Sequence, residues 1–140
     1  MAALSGKAGK VMYGSVVVAE ITEWSTAGFK MELIKKDPAF GDTGAAEYIA
    51  LQLGDAGTVS FSGNYDPADT TGQAVLTAVA KTGVGITNLY LYEDATHYWT
   101  VDSGGEIFVI SGGEPTTMPR SGIGKVTFTA QISGAYLERT

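Results

Sequence analysis

His97 is the chain's single histidine, so any imidazole chemistry would have to run through it. A serine or threonine nucleophile needs a base within reach. No serine sits in a G-x-S-x-G elbow. His97 falls in Thr96–Val101, a run of strand character with Tyr98 and Trp99, where a structural histidine is the expectation. With no cysteine there is no thiol nucleophile, zinc–thiolate site or disulfide framework. Asp66 and Asp69 are close enough in sequence to suggest a calcium turn, but they lack the ligand spacing of an EF-hand loop. Helix capping accounts for both. The other carboxylates, Asp94, Asp102 and Glu106 among them, fall at turns and element ends, where a solvated carboxylate is the default. Gly83-Val84-Gly85 precedes a strand and no lysine follows it, so it is a poor phosphate cradle. Tyr90, Tyr92, Tyr98 and Trp99 fall on neighbouring strands and offer a carbohydrate-binding face, with core or interface packing as the competing use. The reading is of a protein that is not an enzyme and for which no cofactor or metal is implied.

The elements must therefore carry the function. The chain has 140 residues, 44% hydrophobic and only 17% charged, with 19 glycines and no Gly-X-Y repeat. That composition fits a globular chain of short strands and many turns. The net charge of −6 does not draw the chain to nucleic acid or anionic lipid. No stretch approaches the ~20 apolar residues of a membrane span, so no membrane partner is expected. Met1–Lys10 has no apolar signal core. Synthesis and folding in a cytoplasm are expected.

Met1–Lys10 is small and weakly patterned, and reads as a flexible arm. Residues 11–140 read as one β domain. Val11–Glu23 is rich in valine and isoleucine around Gly14. Phe29–Ile34 alternates at strand period, with Phe29, Met31 and Leu33 on one side. Lys35–Glu47 breaks the pattern and forms a first long loop. Strands Tyr48–Leu53 and Thr58–Tyr65 follow. Thr70 with Gln73 fits a capping box and predicts a helix over about residues 70–82, which Gly83 and Gly85 stop. Ile86–Glu93, Thr96–Val101 and Glu106–Ile110 are expected strands; Ser103-Gly104-Gly105 is a hairpin turn between the last two. Gly112–Ser121, with two prolines, reads as the second long loop. Gly124–Ser133 alternates cleanly, and Ala135–Thr140 extends it or forms a tail. The fold class is mainly β: an antiparallel β-sandwich or partly open barrel with one helix and two long loops.

The polar strand faces are the informative feature. Thr58, Ser60, Ser62 and Asn64 form one; Lys125, Thr127, Thr129, Gln131 and Ser133 form the other. They are small and almost uncharged, whereas exposed strands of monomers usually carry charges that deter edge pairing. Such faces suggest sheets completed by further copies of the chain.

In the order of these features the chain resembles the tail tube (major tail) proteins of long-tailed bacteriophages and their prophage relatives. The resemblance runs from about Val11 to Gly134. It rests on the hairpin around Lys35–Glu47, the passage SGNYDPADTTGQAVLTAVA (Ser62–Ala80), the strands Leu89–Tyr92 and Tyr98–Val101, and the closing GKVTFTAQISG (Gly124–Gly134). It implies a structural subunit that assembles with itself into hexameric rings, stacked as a tube in a virion tail. The other implied partners are tail proteins such as the tape measure and terminator. About four strands from each of six subunits, spaced ~4.8 Å and tilted ~40°, enclose a lumen of roughly 40 Å. Duplex DNA passes through such a conduit without specific binding. Thr58, Ser60, Ser62, Asn64, Lys125, Thr127, Thr129 and Gln131 become candidate lumen residues. Lys125 is a departure: it would place a ring of positive charge there unless a carboxylate neutralises it or that face points outward. Lys35, Lys36, Asp37, Phe40, Asp42 and Glu47 become candidate contacts to the next ring, with Phe40 as the apolar anchor. The alternatives are a β-sandwich carbohydrate-binding module, or a related secretion-system tube or tail-terminator subunit.

Overall fold

The computed structural model describes residues 6–37, 39–41, 43–102 and 104–140. Met1–Ser5 of the expected arm, Pro38, Asp42 and Ser103 lie outside the described residues. After a 3-10 turn at Gly6–Ala8, the strands are β1 (Lys10–Tyr13), β2 (Val16–Val17), β3 (Ile21–Thr26), β4 (Lys30–Lys35), β5 (Tyr48–Asp55) and β6 (Thr58–Asn64). Helix α1 (Gln73–Thr82) comes next. The chain then continues through β7 (Leu89–Tyr92), β8 (Tyr98–Val101), β9 (Glu106–Ser111), β10 (Pro115–Thr117), β11 (Lys125–Ser133) and β12 (Leu137–Arg139).

The strands form a mainly antiparallel sandwich that does not close into a barrel. One sheet has the order β12-β8-β7-β1-β2. The other has the order β10-β11-β6-β3, with β9 also paired to β11. The strand period decides which residues meet between them. In β11, Val126, Phe128, Ala130 and Ile132 turn inward and are buried, as their alternation predicts. Val59 and Phe61 do the same in β6, and Phe61 stacks on Phe128 with ring centroids 5.2 Å apart. Val11, Leu89, Leu91 and Val101 close the core from the first sheet. Helix α1 contributes Leu76 and packs on β9.

The third sheet is the β4–β5 hairpin, which stands apart from the sandwich. All six residues of β4 are exposed.

Several local expectations change. β8 and β9, expected as a hairpin, lie in opposite sheets and do not pair. The helix begins at Gln73, two residues later than the capping box implies, and Thr70 does not cap it. Asp69 takes that role: its carboxylate accepts from the Gly72 and Gln73 amides at 3.1 and 3.0 Å, and from Ala19 N–H at 2.9 Å. An acidic side chain serves there better than a hydroxyl, because the free amides and the helix dipole both favour negative charge. Freed from capping, the Gln73 amide is buried as a hub. It accepts from Asp66 N–H and donates to the carbonyls of Ala19 and Asn64. In the second long loop, Pro115–Thr117 pairs with the start of β11 as a strand; proline is tolerated there because the strand is an edge. Residues after Gly134 do not extend β11. Gly134 turns the chain with φ +83°, and Leu137–Arg139 crosses to pair with β8 in the opposite sheet.

Candidate functional site: the polar sheet face and the hairpin

The antiparallel register of β6 and β11 brings the two polar rows side by side on one outer face. Lys125 lies opposite Asn64, Thr127 opposite Ser62, Thr129 opposite Ser60, and Gln131 opposite Thr58. Edge strand β3 extends two of these rows, with Glu23 beside Ser62 and Ser25 beside Ser60. All eight candidate residues thus fall on a single face, which the sequence alone left as two.

Hydrogen bonds tie this face together. Lys125 Nζ donates to Asn64 Oδ1 at 2.8 Å, and Asn64 Nδ2 donates to Glu20 Oε2 at 3.1 Å. The lysine charge is therefore coupled to a carboxylate through one amide. Ser62 Oγ donates to Glu23 Oε1 at 3.0 Å. Glu20 is held at φ +61°, the sole positive φ at a non-glycine among the described residues. Its carbonyl accepts from Asn64 N–H, and a Cβ on Gly63 would sit 2.0 Å from that oxygen. Only glycine fits at 63, so the turn that brings Glu20 to Asn64 is fixed by the backbone. Sequence patterning missed Glu20, which lies in the left-handed turn before β3, and Glu23, which lies in a strand without clean alternation; only the backbone turn and the β3–β6 register reveal them.

Gln131 differs from the other seven. Its Nε2 donates to Asp55 Oδ1 at 3.2 Å and to Gly57 O at 3.0 Å, which ties the polar face to the root of the hairpin.

The hairpin carries most of the loop candidates. Lys35, Lys36, Asp37 and Glu47 line a recess of about 390 Å³ with residues 43–46. Lys36 Nζ lies 3.5 Å from Glu47 Oε2, with both side chains more than half exposed, so the pair adds little stability. Phe40 projects fully into solvent, and Asp42 lies outside the described residues. The ribbon carries exposed apolar side chains: Leu33 is 56% accessible, Ile34 52% and Ile49 54%.

The chemical candidates are accounted for by local structure. His97 lies in the turn before β8, outside the strand expected to hold it. Its Nδ1 is 3.0 Å from Asp94 Oδ2, while Asp94 Oδ1 accepts from the Thr96 and His97 amides at 2.8 and 2.7 Å. The Thr96 amide first, then that of His97, holds the Asp94 carboxyl well below the usual carboxylate range. Asp66 accepts from Ala68 N–H, and Asp69 is occupied by three amides. The four aromatics do not share one platform. Tyr90, Tyr92 and Tyr98 cluster on an outer face, with centroids 5.0 Å apart for Tyr90–Tyr98 and Tyr92–Tyr98. Trp99 pairs with buried Leu91 and lines a cleft elsewhere. Among the described residues no group of three metal-ligating side chains forms, and no helix is long and apolar enough to cross a membrane.

With this geometry in hand, solved structures provide a comparison. The chain matches a component of the cap of an anti-feeding prophage, described as its tube-terminating cap, with TM-score 0.70 at 13% identity. The match covers 100% of this chain and 92% of that one. The likeness is one of fold. A chain of a native gene transfer agent virion matches with TM-score 0.69 at 13% identity, covering 99% of each chain. A chain from the tail of an empty gene transfer agent particle, refined with C6 symmetry, matches with TM-score 0.59 at 14% identity, again covering 99% of each. No protein-family model matches the chain, and no curated protein matches it in sequence.

Proposed function

We propose that the chain is a structural subunit of a phage or prophage tail tube. In this reading it assembles with itself into stacked hexameric rings that conduct DNA. One observation carries the reading: eight polar residues, seven of them uncharged, meet on one outer sheet face whose flanking strand β3 is paired on one side only among the described residues. Such an edge invites a further strand, and pairing around a ring removes it. A lumen of hydroxyls and amides, with Lys125 coupled to Glu20 and with Glu23 beside Ser62, gives DNA no row of cations to grip. The C6 symmetry of the gene transfer agent tail supports six subunits per ring. The hairpin reaches the adjacent ring, with Phe40 as its apolar anchor. The tape measure and terminator are further expected partners, and the virion tail is the expected location.

The likeness to a tube-terminating cap favours a second reading, in which the chain forms one ring and ends a tube. Electron microscopy of the concentrated protein separates the two. Stacked tubes of six-subunit rings are expected for the tube subunit, and single rings for the terminator. A monodisperse monomer at every concentration overturns both. Deleting Asp37–Gly44 is expected to abolish stacking and leave the subunit folded.

A further inference from the structure

Where the hairpin leaves the sandwich there is a cleft of about 290 Å³, lined mainly by Trp24, Phe29, Ala56, Trp99, Tyr136 and Leu137. It opens between β3 of one sheet and β8 and β12 of the other, and no charged side chain lines it. Its floor is firmly built. Trp24 Nε1 donates to Tyr92 O at 2.9 Å, and Phe29 meets Tyr136 edge-on at 5.6 Å. The Tyr136 hydroxyl lies against the backbone of Gly54, where a Cβ would come within 1.6 Å of it.

We infer that this cleft receives the Phe40 side chain of a second copy of the chain, so that each subunit carries both a knob and its hole. The inference rests on the assembly reading above and names the site that the hairpin would enter.

The occupant follows from three observations. Cleft and knob lie at opposite ends of one hairpin. Phe29 is at the root, and Phe40 lies beyond a six-residue strand, roughly 20 Å long at ~3.4 Å per residue. A chain cannot place its own tip in its own cleft while the β4–β5 ladder is intact. An uncharged, aromatic-walled cleft suits an aromatic ring, and Phe40 is the most exposed large apolar side chain among the described residues. The area is also adequate. Phe40 and Tyr48 together would bury roughly 300–500 Å². Leu33, Ile34 and Ile49 beside them bring the hairpin toward the ~800 Å² per partner of a stable interface. A knob and a hole engaged by different neighbours make a heterologous contact, and such contacts propagate into rings or filaments.

The chain has no cysteine and two tryptophans, and both tryptophans line the cleft. Trp emission therefore reads the cleft directly, and engineered thiols have no background. The experiment mixes a Phe40→Cys chain with a Thr26→Cys chain under mild oxidation and follows Trp emission of the unmodified protein through assembly. Thr26 is an exposed residue on the cleft wall. The expected results are disulfide-linked dimers from the mixture and a blue shift on assembly. In Phe40→Ala the shift is lost, and half-assembly requires a concentration about tenfold higher or more, the scale of a buried aromatic anchor. Assembled particles with unchanged emission and no mixed dimer overturn the inference while the assembly reading stands. Tip-to-tip Phe40→Cys dimers in place of mixed ones overturn it too. Failure of the unmodified protein to assemble overturns both.

Discussion

The sandwich and the β4–β5 hairpin use similar residues to opposite ends. In β11 every second residue is buried and the rest face outward, so one strand separates its apolar and polar atoms completely. In β4 every residue is exposed, although Met31, Leu33 and Ile34 are as apolar as the core. The alternation is present in both; what differs is a second layer. A β-strand defines two faces, but only a facing sheet makes one of them an interior. A two-stranded ribbon without a partner layer is marginal in water. The sandwich is therefore complete in one chain, whereas the hairpin has no covering layer among the described residues; in the proposed assembly another copy supplies it.

That contrast is broken most forcefully by truncating each region in dilute, unassembled protein. Phe128→Ala removes a fully buried ring stacked on Phe61 and is expected to cost about 3–5 kcal/mol. Leu33→Ala should stay within about 0.5 kcal/mol, because its side chain has no layer to lose. Urea denaturation of both variants checks this. Equal losses would mean that the hairpin packs within its own subunit. In the proposed assembly Leu33→Ala is expected to impair particle formation although it leaves the subunit folded.

The sandwich was largely legible because burial follows period 2 wherever two sheets face each other. Val126, Phe128, Ala130 and Ile132 could be assigned inward from their spacing alone. The helix start was not legible, since Thr70 and Asp69 are both good caps. The choice depends on Ala19, fifty residues away, which also needs an acceptor. Strand β12 was hidden because three residues carry no period, and their partner lies in the other sheet. At the candidate site, residue types gave the two polar rows, but their merging on one face is a matter of register. Glu20 reaches Asn64 only through a left-handed backbone turn that no side-chain pattern announces.

A middle-sized effect sharpens the comparison from within the sandwich. Gln73→Leu keeps the bulk of a buried side chain but strands Asp66 N–H and the carbonyls of Ala19 and Asn64. A loss of about 1–3 kcal/mol is expected in chemical denaturation. Because Asn64 sits in the polar face, this variant also tests whether that face depends on the helix.

The smallest effect lies in the Asp94 turn, which belongs to the sandwich yet is partly solvated. Its carboxyl titrates below the usual range, so the stability it adds is complete above the unfolded value, about pH 4. That contribution is lost as pH falls toward the lower, folded value. Asp94→Asn keeps an acceptor for the two amides but not the charge. Its thermal stability should fall less steeply than that of the parent below pH 4; identical slopes would remove Asp94 from the acid response.

The most direct measurement places a single cysteine at Ser60, in the centre of the polar face, and labels it before and after assembly. In free subunits a small maleimide and a large polymer-linked maleimide should both react. In assembled tubes the small reagent should still react, while the large one is excluded except near the ends. Equal reaction with the large reagent along the whole tube would place this face on the outside and contradict the conduit.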